Sequence, residues 1–116
     1  MSFGYATATL QTKADAVKAL GTYISLHTGD ASTTGDNEAS GSGYGRVATT
    51  WTSGSGGSVT GTAVTITAGA ATYLGFGVWS LGSSGTYVGG AAFSGGNVTI
   101  SGGAGTIVVT PSISES

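Results

Sequence analysis

The chain's only histidine stands in "SLHTGD", residues 25–30, and imidazole is the side chain best suited to take up and return a proton near neutral pH. Ser25 or Thr28 could serve as a nucleophile beside it and Asp30 as the acid that orients the ring, with Asp36 and Glu38 close behind in sequence. Catalysis of this kind needs an oriented base with a nucleophile in hydrogen-bond reach. Ser and Thr are so frequent here that their proximity is weak evidence, and no recognised nucleophile motif surrounds them. The simpler reading is structural. His27 then lays its ring on the wet face of a strand, donates to a loop carbonyl, and ends the strand as an anchor for the loop that follows. No catalytic residue is assigned.

Asp30, Asp36 and Glu38 are three of the five acidic residues, and carboxylates separated by glycines can wrap a hard cation such as calcium. Their spacing is not that of a helix-loop-helix calcium site, and each acid could equally cap a turn through its own backbone. Neither a metal nor any other cofactor is assigned. Arg46 is expected to grip Asp36 or Glu38 with both arms of its guanidinium, which would fix the acidic loop to the start of the next strand. The aromatic residues Tyr44, Trp51, Tyr73, Trp79 and Tyr87 could offer flat faces to the sugar rings of a glycan. Alternatively they fill a core or an interface, where large rings dominate burial.

The elements that position these residues are mostly strands. Thr12 followed by Asp15 has capping-box spacing, and Leu10, Ala14, Val17 and Gly21 follow one helical face, which predicts a short helix over Thr12 to Leu20. From Thr22 to Thr28 the period changes to two: Ile24 and Leu26 face one way, and Tyr23, Ser25 and His27 form the wet face. The polar stretch 29–46 is long for a mere connection and is expected to be an ordered loop. Further strands are predicted at 46–52, 58–67, 72–80, 86–94, 97–101 and 105–113, with Val64 and Ile66 facing inward and Leu74, Phe76 and Val78 doing the same. Glycine clusters at 53–57 and 82–85 read as hairpin tips, glycines 75, 77, 89 and 90 read as places of close approach, and Pro111 marks an edge or a bulge. About seven strands at this spacing predict an all-β fold, an antiparallel β-sandwich or jelly-roll-like domain with one short N-terminal helix. The expected organisation is one domain over 1–116, with a helical segment at 1–21 and a β body at 22–116.

Composition narrows the function further. Charged residues are 7% of the chain, its formal net charge is −2, and it has 23 glycines and no cysteine. Thiol chemistry is excluded, and from Val47 to Ser114 there is no Asp, Glu, Lys or Arg. Nucleic acid is therefore not an expected partner, since binding it takes clustered Lys and Arg to displace counterions. Gly, Ser and Thr interrupt every apolar run before the ~20 residues needed to cross a bilayer as a helix, so membrane insertion is not expected. Met1 to Tyr5 lacks the basic start and apolar centre of a secretory signal. A hydroxyl-rich surface with so little charge suits a protein made in the cytoplasm that ends packed in an assembly or exposed outside a cell.

The segment "YISLHTGDASTTGDNEASGSGYGRV", Tyr23 to Val47, resembles a signature of small virion proteins of tailed bacteriophages, especially those infecting actinobacteria, of the tail-fibre or minor tail type. The matching positions are Ser25 to Asp30, Thr33-Thr34-Gly35, Asn37-Glu38, Gly43-Tyr44 and Arg46. Trp51, the Ala68-Gly69 turn and the strand Gly75 to Trp79 fit the later half of the pattern. The likeness runs from Leu20 to Thr110, with one departure: Ala31-Ser32 stands where the family usually carries Pro-Gly, so the turn after Asp30 is less pre-set. The resemblance implies a non-enzymatic structural subunit of the virion, assembled in the host cytoplasm, associating with itself and with other phage proteins. A place on the capsid as a decoration protein is an alternative, and a host-surface glycan is a further possible partner. His27, Asp30, Glu38, Tyr44 and Arg46 become the expected loop anchors, and Trp51, Tyr73, Trp79 and Tyr87 the expected interface or ligand aromatics.

Overall fold

The computed structural model describes residues 7–93 and 95–114. The fold is all-β, built of antiparallel sheets with one N-terminal helix. Its strands are β1 (Tyr23–His27), β2 (Val47–Ala48), β3 (Trp51–Ser53), β4 (Ser58–Gly61), β5 (Val64–Ala68), β6 (Ala71–Tyr73), β7 (Gly75–Trp79), β8 (Tyr87–Ala92), β9 (Val98–Ile100), β10 (Gly105–Val109) and β11 (Ser112–Ser114). They form a four-stranded sheet in the order β2-β1-β7-β8, a three-stranded sheet β11-β4-β3, and the pairs β10-β5 and β6-β9.

Eleven segments replace the seven expected because four of the predicted strands break in two. The span 46–52 divides at Thr49 and Thr50, 58–67 at Thr62 and Ala63, 72–80 at Leu74, and 105–113 at Thr110 and Pro111. Threonine is a good strand former that also bonds backbone through its hydroxyl. At the first two breaks it does the latter: the Thr49 hydroxyl donates to the Thr62 carbonyl (2.7 Å) and the Thr50 amide to the Thr62 hydroxyl (3.1 Å). Pro111 has no amide to offer a ladder, and its carbonyl accepts from Gly61 instead (2.8 Å). Each break lets the chain pass from one sheet to another. The span 86–94 ends at Ala92, and Ser94 lies outside the described residues.

The core forms where alternation is cleanest. Val64, Ile66 and Ala68 of β5 lie against Ile107 and Val109 of β10, with Ile24 and Leu26 of β1, Val78 and Tyr73 completing it. Each of the larger aliphatic side chains contributes about 1.5–3 kcal/mol by leaving water. Of the inward set predicted on 72–80, Val78 is buried while Leu74 and Phe76 are half-buried. The tips at 53–57 and 82–85 are turns, closed by the Gly54 amide on the Ser58 carbonyl (2.9 Å) and the Ser80 amide on the Thr86 carbonyl (3.0 Å).

The helix α1 (Thr7–Lys18) lies earlier than the span Thr12 to Leu20. Thr12 is not its cap: inside the helix, its hydroxyl donates back to the Ala8 carbonyl (3.0 Å). Asp15 does not close a capping box either, because its carboxylate accepts from the Ser53 hydroxyl (2.7 Å) and the Gln11 amide (2.9 Å). The helix packs on β3, β4 and β11 with Ala14 fully buried, and Gln11 fixes its height by bonding both Ser58 and Gly57. The reading of Met1 to Tyr5 lies outside the described residues.

Candidate functional site

β1 has no wet face. Ile24 and Leu26 enter the core, and on the other side Ser25 is fully buried and His27 is 2% exposed. The cover is the loop 29–46, which folds over the four-stranded sheet. The expected exposed ring of His27 is corrected by this burial, and the physical reason is visible in its bonds. His27 Nδ1 lies 2.7 Å from the Asp36 carbonyl and Nε2 lies 2.7 Å from the Ser25 hydroxyl. A carbonyl only accepts, so Nδ1 carries the proton. The indole N–H of Trp79 donates to the same Ser25 oxygen (2.9 Å), which leaves the Ser25 proton for Nε2. The result is a directional relay from Trp79 through Ser25 and the Nδ1-protonated ring of His27 to the Asp36 carbonyl, with each of its buried polar atoms matched.

Ser25 and His27 thus stand in the geometry of a nucleophile and its base, but Ser25 is enclosed. A Cβ placed on Gly77 would sit 2.6 Å from both the Ser25 oxygen and His27 Nε2, and 2.9 Å from the Tyr87 ring. Of the strand glycines predicted as places of close approach, Gly77 admits rings of the same chain, Gly75 and Gly90 admit the backbone of the neighbouring strand, and Gly89 has nothing within 4 Å of where its Cβ would lie. Thr28 bonds the Asn37 carbonyl through its amide (2.9 Å) and is not beside the ring nitrogens. Asp30 does not orient His27: its carboxylate accepts the Ser32 amide (2.8 Å), and its carbonyl accepts from the Asn37 side chain (2.9 Å).

The second cluster centres on Glu38. Arg46 takes it with both arms, Nε to Oε2 and Nη2 to Oε1, each 2.8 Å, while the Asp36 carboxylate accepts from the Thr34 hydroxyl (2.9 Å). Burial alone would raise the Glu38 pKa, but the hydrogen bonds from Arg46 and Tyr44 outweigh it and hold the carboxyl below its ordinary value. The Tyr44 hydroxyl donates to Glu38 Oε2 (2.7 Å) and accepts from the Leu26 amide (3.1 Å). β2 pairs only with Tyr23 and Ile24, so beyond it the loop stands in for a strand: the Tyr44 hydroxyl satisfies the Leu26 amide and the Ala39 amide satisfies the Leu26 carbonyl (2.9 Å). Burial first, and then the carboxylate beside it, push the Tyr44 phenol well above its ordinary value.

Arg46 reaches further than sequence reasoning foresaw. Its Nη1 donates to the Leu81 (3.0 Å) and Ser84 (2.7 Å) carbonyls at the β7–β8 tip, and the guanidinium carbon lies 3.7 Å from the Trp79 ring centroid. Trp79 in turn meets Tyr87 edge-on (5.1 Å). Gly35 fits beneath these rings only because it lacks a Cβ, which would fall 2.5 Å from Trp79. Nothing in the spacing of Arg46 and the 82–85 tip signalled this bond. Gly77, a glycine inside a predicted strand, was the signal that rings would crowd there.

The remaining aromatics divide. Tyr73, expected as an interface or ligand residue, is 2% exposed with its hydroxyl on the Gly69 carbonyl (2.7 Å). It belongs to the core cluster, because β6 turns it inward. Trp51 is half-buried and donates to the Gly21 carbonyl (2.9 Å). Tyr87 lines a hollow of about 280 Å³ with His27, Asp30, Ser32 and Phe76, where burial and then the Asp30 charge raise its pKa. Among the described residues, no three of the His, Asp and Glu side chains converge to hold a metal ion, so the calcium alternative has no ligand set there. Comparison with known proteins gives no match to a family model, to a curated protein or to a solved structure.

Proposed function

We propose that this chain is a non-enzymatic structural subunit of a tailed-bacteriophage virion, a small self-associating surface protein of the tail-fibre or minor tail type. The observation that carries the proposal is how the signature residues are used. His27, Asp30, Glu38, Tyr44 and Arg46 direct their polar atoms at the chain's own backbone and at one another, which is the chemistry of a fixed loop. The uncharged run from Val47 to Ser114 supports the same reading, since a surface of hydroxyls and backbone suits repetitive packing and offers trypsin-like proteases no site. Immunogold electron microscopy of purified particles, with an antibody against this chain, tests it. Gold along the tail or at its tip is the expected result, and gold over the head would make the chain a capsid decoration protein instead. No gold on intact particles, with the chain present in the lysate, would overturn the virion assignment.

A second reading, a glycan-binding module, is favoured by the hollow at Tyr87, where two aromatic walls, Phe76 and Tyr87, stand beside the Asp30 carboxylate. Trp79 touches Tyr87 and would report occupation. A saturable change in tryptophan fluorescence on adding host cell-wall polysaccharide supports this reading, and a flat titration removes it.

A further inference from the structure

Among the described residues, β8 closes one side of the four-stranded sheet and pairs only with β7. The Phe93 amide bonds the Leu74 carbonyl (3.0 Å), and in an antiparallel ladder bonded and non-bonded pairs alternate. With Phe76 opposite Ala91 and Val78 opposite Gly89, residues 89, 91 and 93 turn their backbone groups toward β7. Gly90 and Ala92 therefore turn theirs outward. An exposed edge of this kind is ordinarily blunted by a lysine, a proline or a short length. β8 has six residues, none of them charged and none proline.

Three hollows meet on this strand. They measure about 280, 400 and 530 Å³, and Ala91 lines all of them. Among the described residues, Asp30 is the only charged one around any of the three. The second hollow also carries Val98 and Val108, two of the large apolar side chains left in solvent, Val108 at 64% exposure. An uncharged edge beside apolar hollows gives a charged partner nothing to hold. It does match a second uncharged edge of the same kind.

We propose that β8 is the mating edge of a two-fold dimer in which a second copy of the chain adds its own β8 antiparallel to this one. Centred on Ala91, the pairing sets Gly90 against the partner's Ala92 and Ala92 against the partner's Gly90, so the outward groups of both strands bond each other. The small residues from Gly89 to Ala92 let the backbones approach. A stable interface buries roughly 1,200–2,000 Å², more than one short strand supplies, and the flanking hollows with Val98 and Val108 provide the rest. The pairing rests on the self-association proposed above, and it fixes which surface performs it.

Analytical ultracentrifugation of the full chain tests the pairing. The parent and Ala92→Ser are expected to sediment at twice the 11.1 kDa chain mass, while Ala92→Lys, which places a charge on the exposed edge, sediments as a monomer and melts with the parent once both are diluted until the parent is monomeric. Hydrogen exchange is the second measurement: in the parent the Gly90 and Ala92 amides are slow when concentrated and fast on dilution. A monomeric parent, an odd-numbered assembly, a dimer that survives Ala92→Lys, or amides fast at every concentration would each overturn the proposal. Should Ala92→Lys fail to fold, the exchange of the parent alone decides. A dimer in solution without gold on the particle would leave this pairing standing and remove the virion reading; gold with a monomer would do the reverse.

Discussion

The Arg46 guanidinium lies 3.7 Å above the Trp79 ring, so one cation joins the acidic loop to the sheet that the loop covers. The same group grips Glu38 and bonds the Leu81 and Ser84 carbonyls, and its side chain is only 8% exposed. Arg46→Ala removes both guanidinium bonds from the Glu38 carboxylate, which keeps the Tyr44 hydroxyl, and takes the side-chain donor from two carbonyls. Removing one partner of a largely buried ion pair costs about 3 kcal/mol, and in a domain of this size that lowers the melting temperature by on the order of 10 °C. Arg46→Lys is expected to recover less than half of the loss, because an ammonium cannot serve the carboxylate bidentately and the two carbonyls together. An Arg46→Ala variant that melts with the parent would show that the loop is held by other contacts.

Two pH limits follow from the Glu38–Tyr44 pair beside the Leu26 amide. Glu38 is depressed in the folded chain, so the folded state binds this proton less tightly than the unfolded state does. Its stabilisation is complete above the ordinary value of 4.5 and is lost as pH falls below it. Tyr44 is raised, and its sign is opposite: stability is complete below the ordinary value of 10.0 and falls as pH rises past it, where the unfolded phenol ionises first. Melting temperatures across pH 3 to 11 should therefore fall at both ends. Glu38→Gln is expected to flatten the acid limb relative to the parent and Tyr44→Phe the alkaline limb, each at some cost near neutrality. Asp15, also depressed, keeps a shallow acid slope in Glu38→Gln. A parent and variant with parallel acid limbs would remove Glu38 as the source.

The His27 relay fixes a tautomer. Because Nδ1 faces a carbonyl and Nε2 faces a hydroxyl already accepting from Trp79, the neutral ring carries its proton on Nδ1. Nitrogen NMR of the single histidine should show that form, the less common one in water. Gly77→Ala forces a methyl into the Ser25–His27–Tyr87 contact, and overpacking of this kind costs about 1–3 kcal/mol. Its histidine should keep the proton on Nδ1, which still faces the Asp36 carbonyl, while the Nε2 resonance moves as Ser25 is displaced. A ring protonated on Nε2 in the parent would reverse the direction assigned to the relay.

How much of this was legible depends on which physics set each feature. The inward faces of β5 and the turns at 53–57 and 82–85 follow from local alternation and from glycine's freedom, and both could be read from neighbouring residues. The pairing of Arg46 with an acid could be anticipated because charges are so few that few partners exist. The strand breaks could not, since Thr49 and Thr62 satisfy strand propensity and side-chain bonding equally until the fold brings them together. Burial of His27 was hidden because its cover arrives from the loop, and its relay partner Trp79 lies on a strand distant in sequence. Period-two alternation reveals that a face exists. It does not reveal what will cover that face.

The turn after Asp30 carries strain that one substitution should relieve. Ser32 has φ of 56°, in the left-handed region where a Cβ crowds the carbonyl and costs about 1–2 kcal/mol. Glycine adopts that conformation freely but loses more freedom on folding, by about 0.5–1 kcal/mol. The Ser32 side chain is exposed, and the bond from its amide to the Asp30 carboxylate survives the change, so the two terms above decide the balance. Ser32→Gly is expected to stabilise by about 0.5 kcal/mol and to raise the melting temperature by roughly 2–4 °C. The reverse change at Gly35, whose φ is 80°, meets both the same backbone strain and the Trp79 ring, so Gly35→Ser should lower it by far more. Thermal unfolding of the two variants beside the parent checks both signs in one experiment. A Ser32→Gly variant that melts below the parent would mean that the Ser32 side chain stabilises the turn by more than its backbone strain costs.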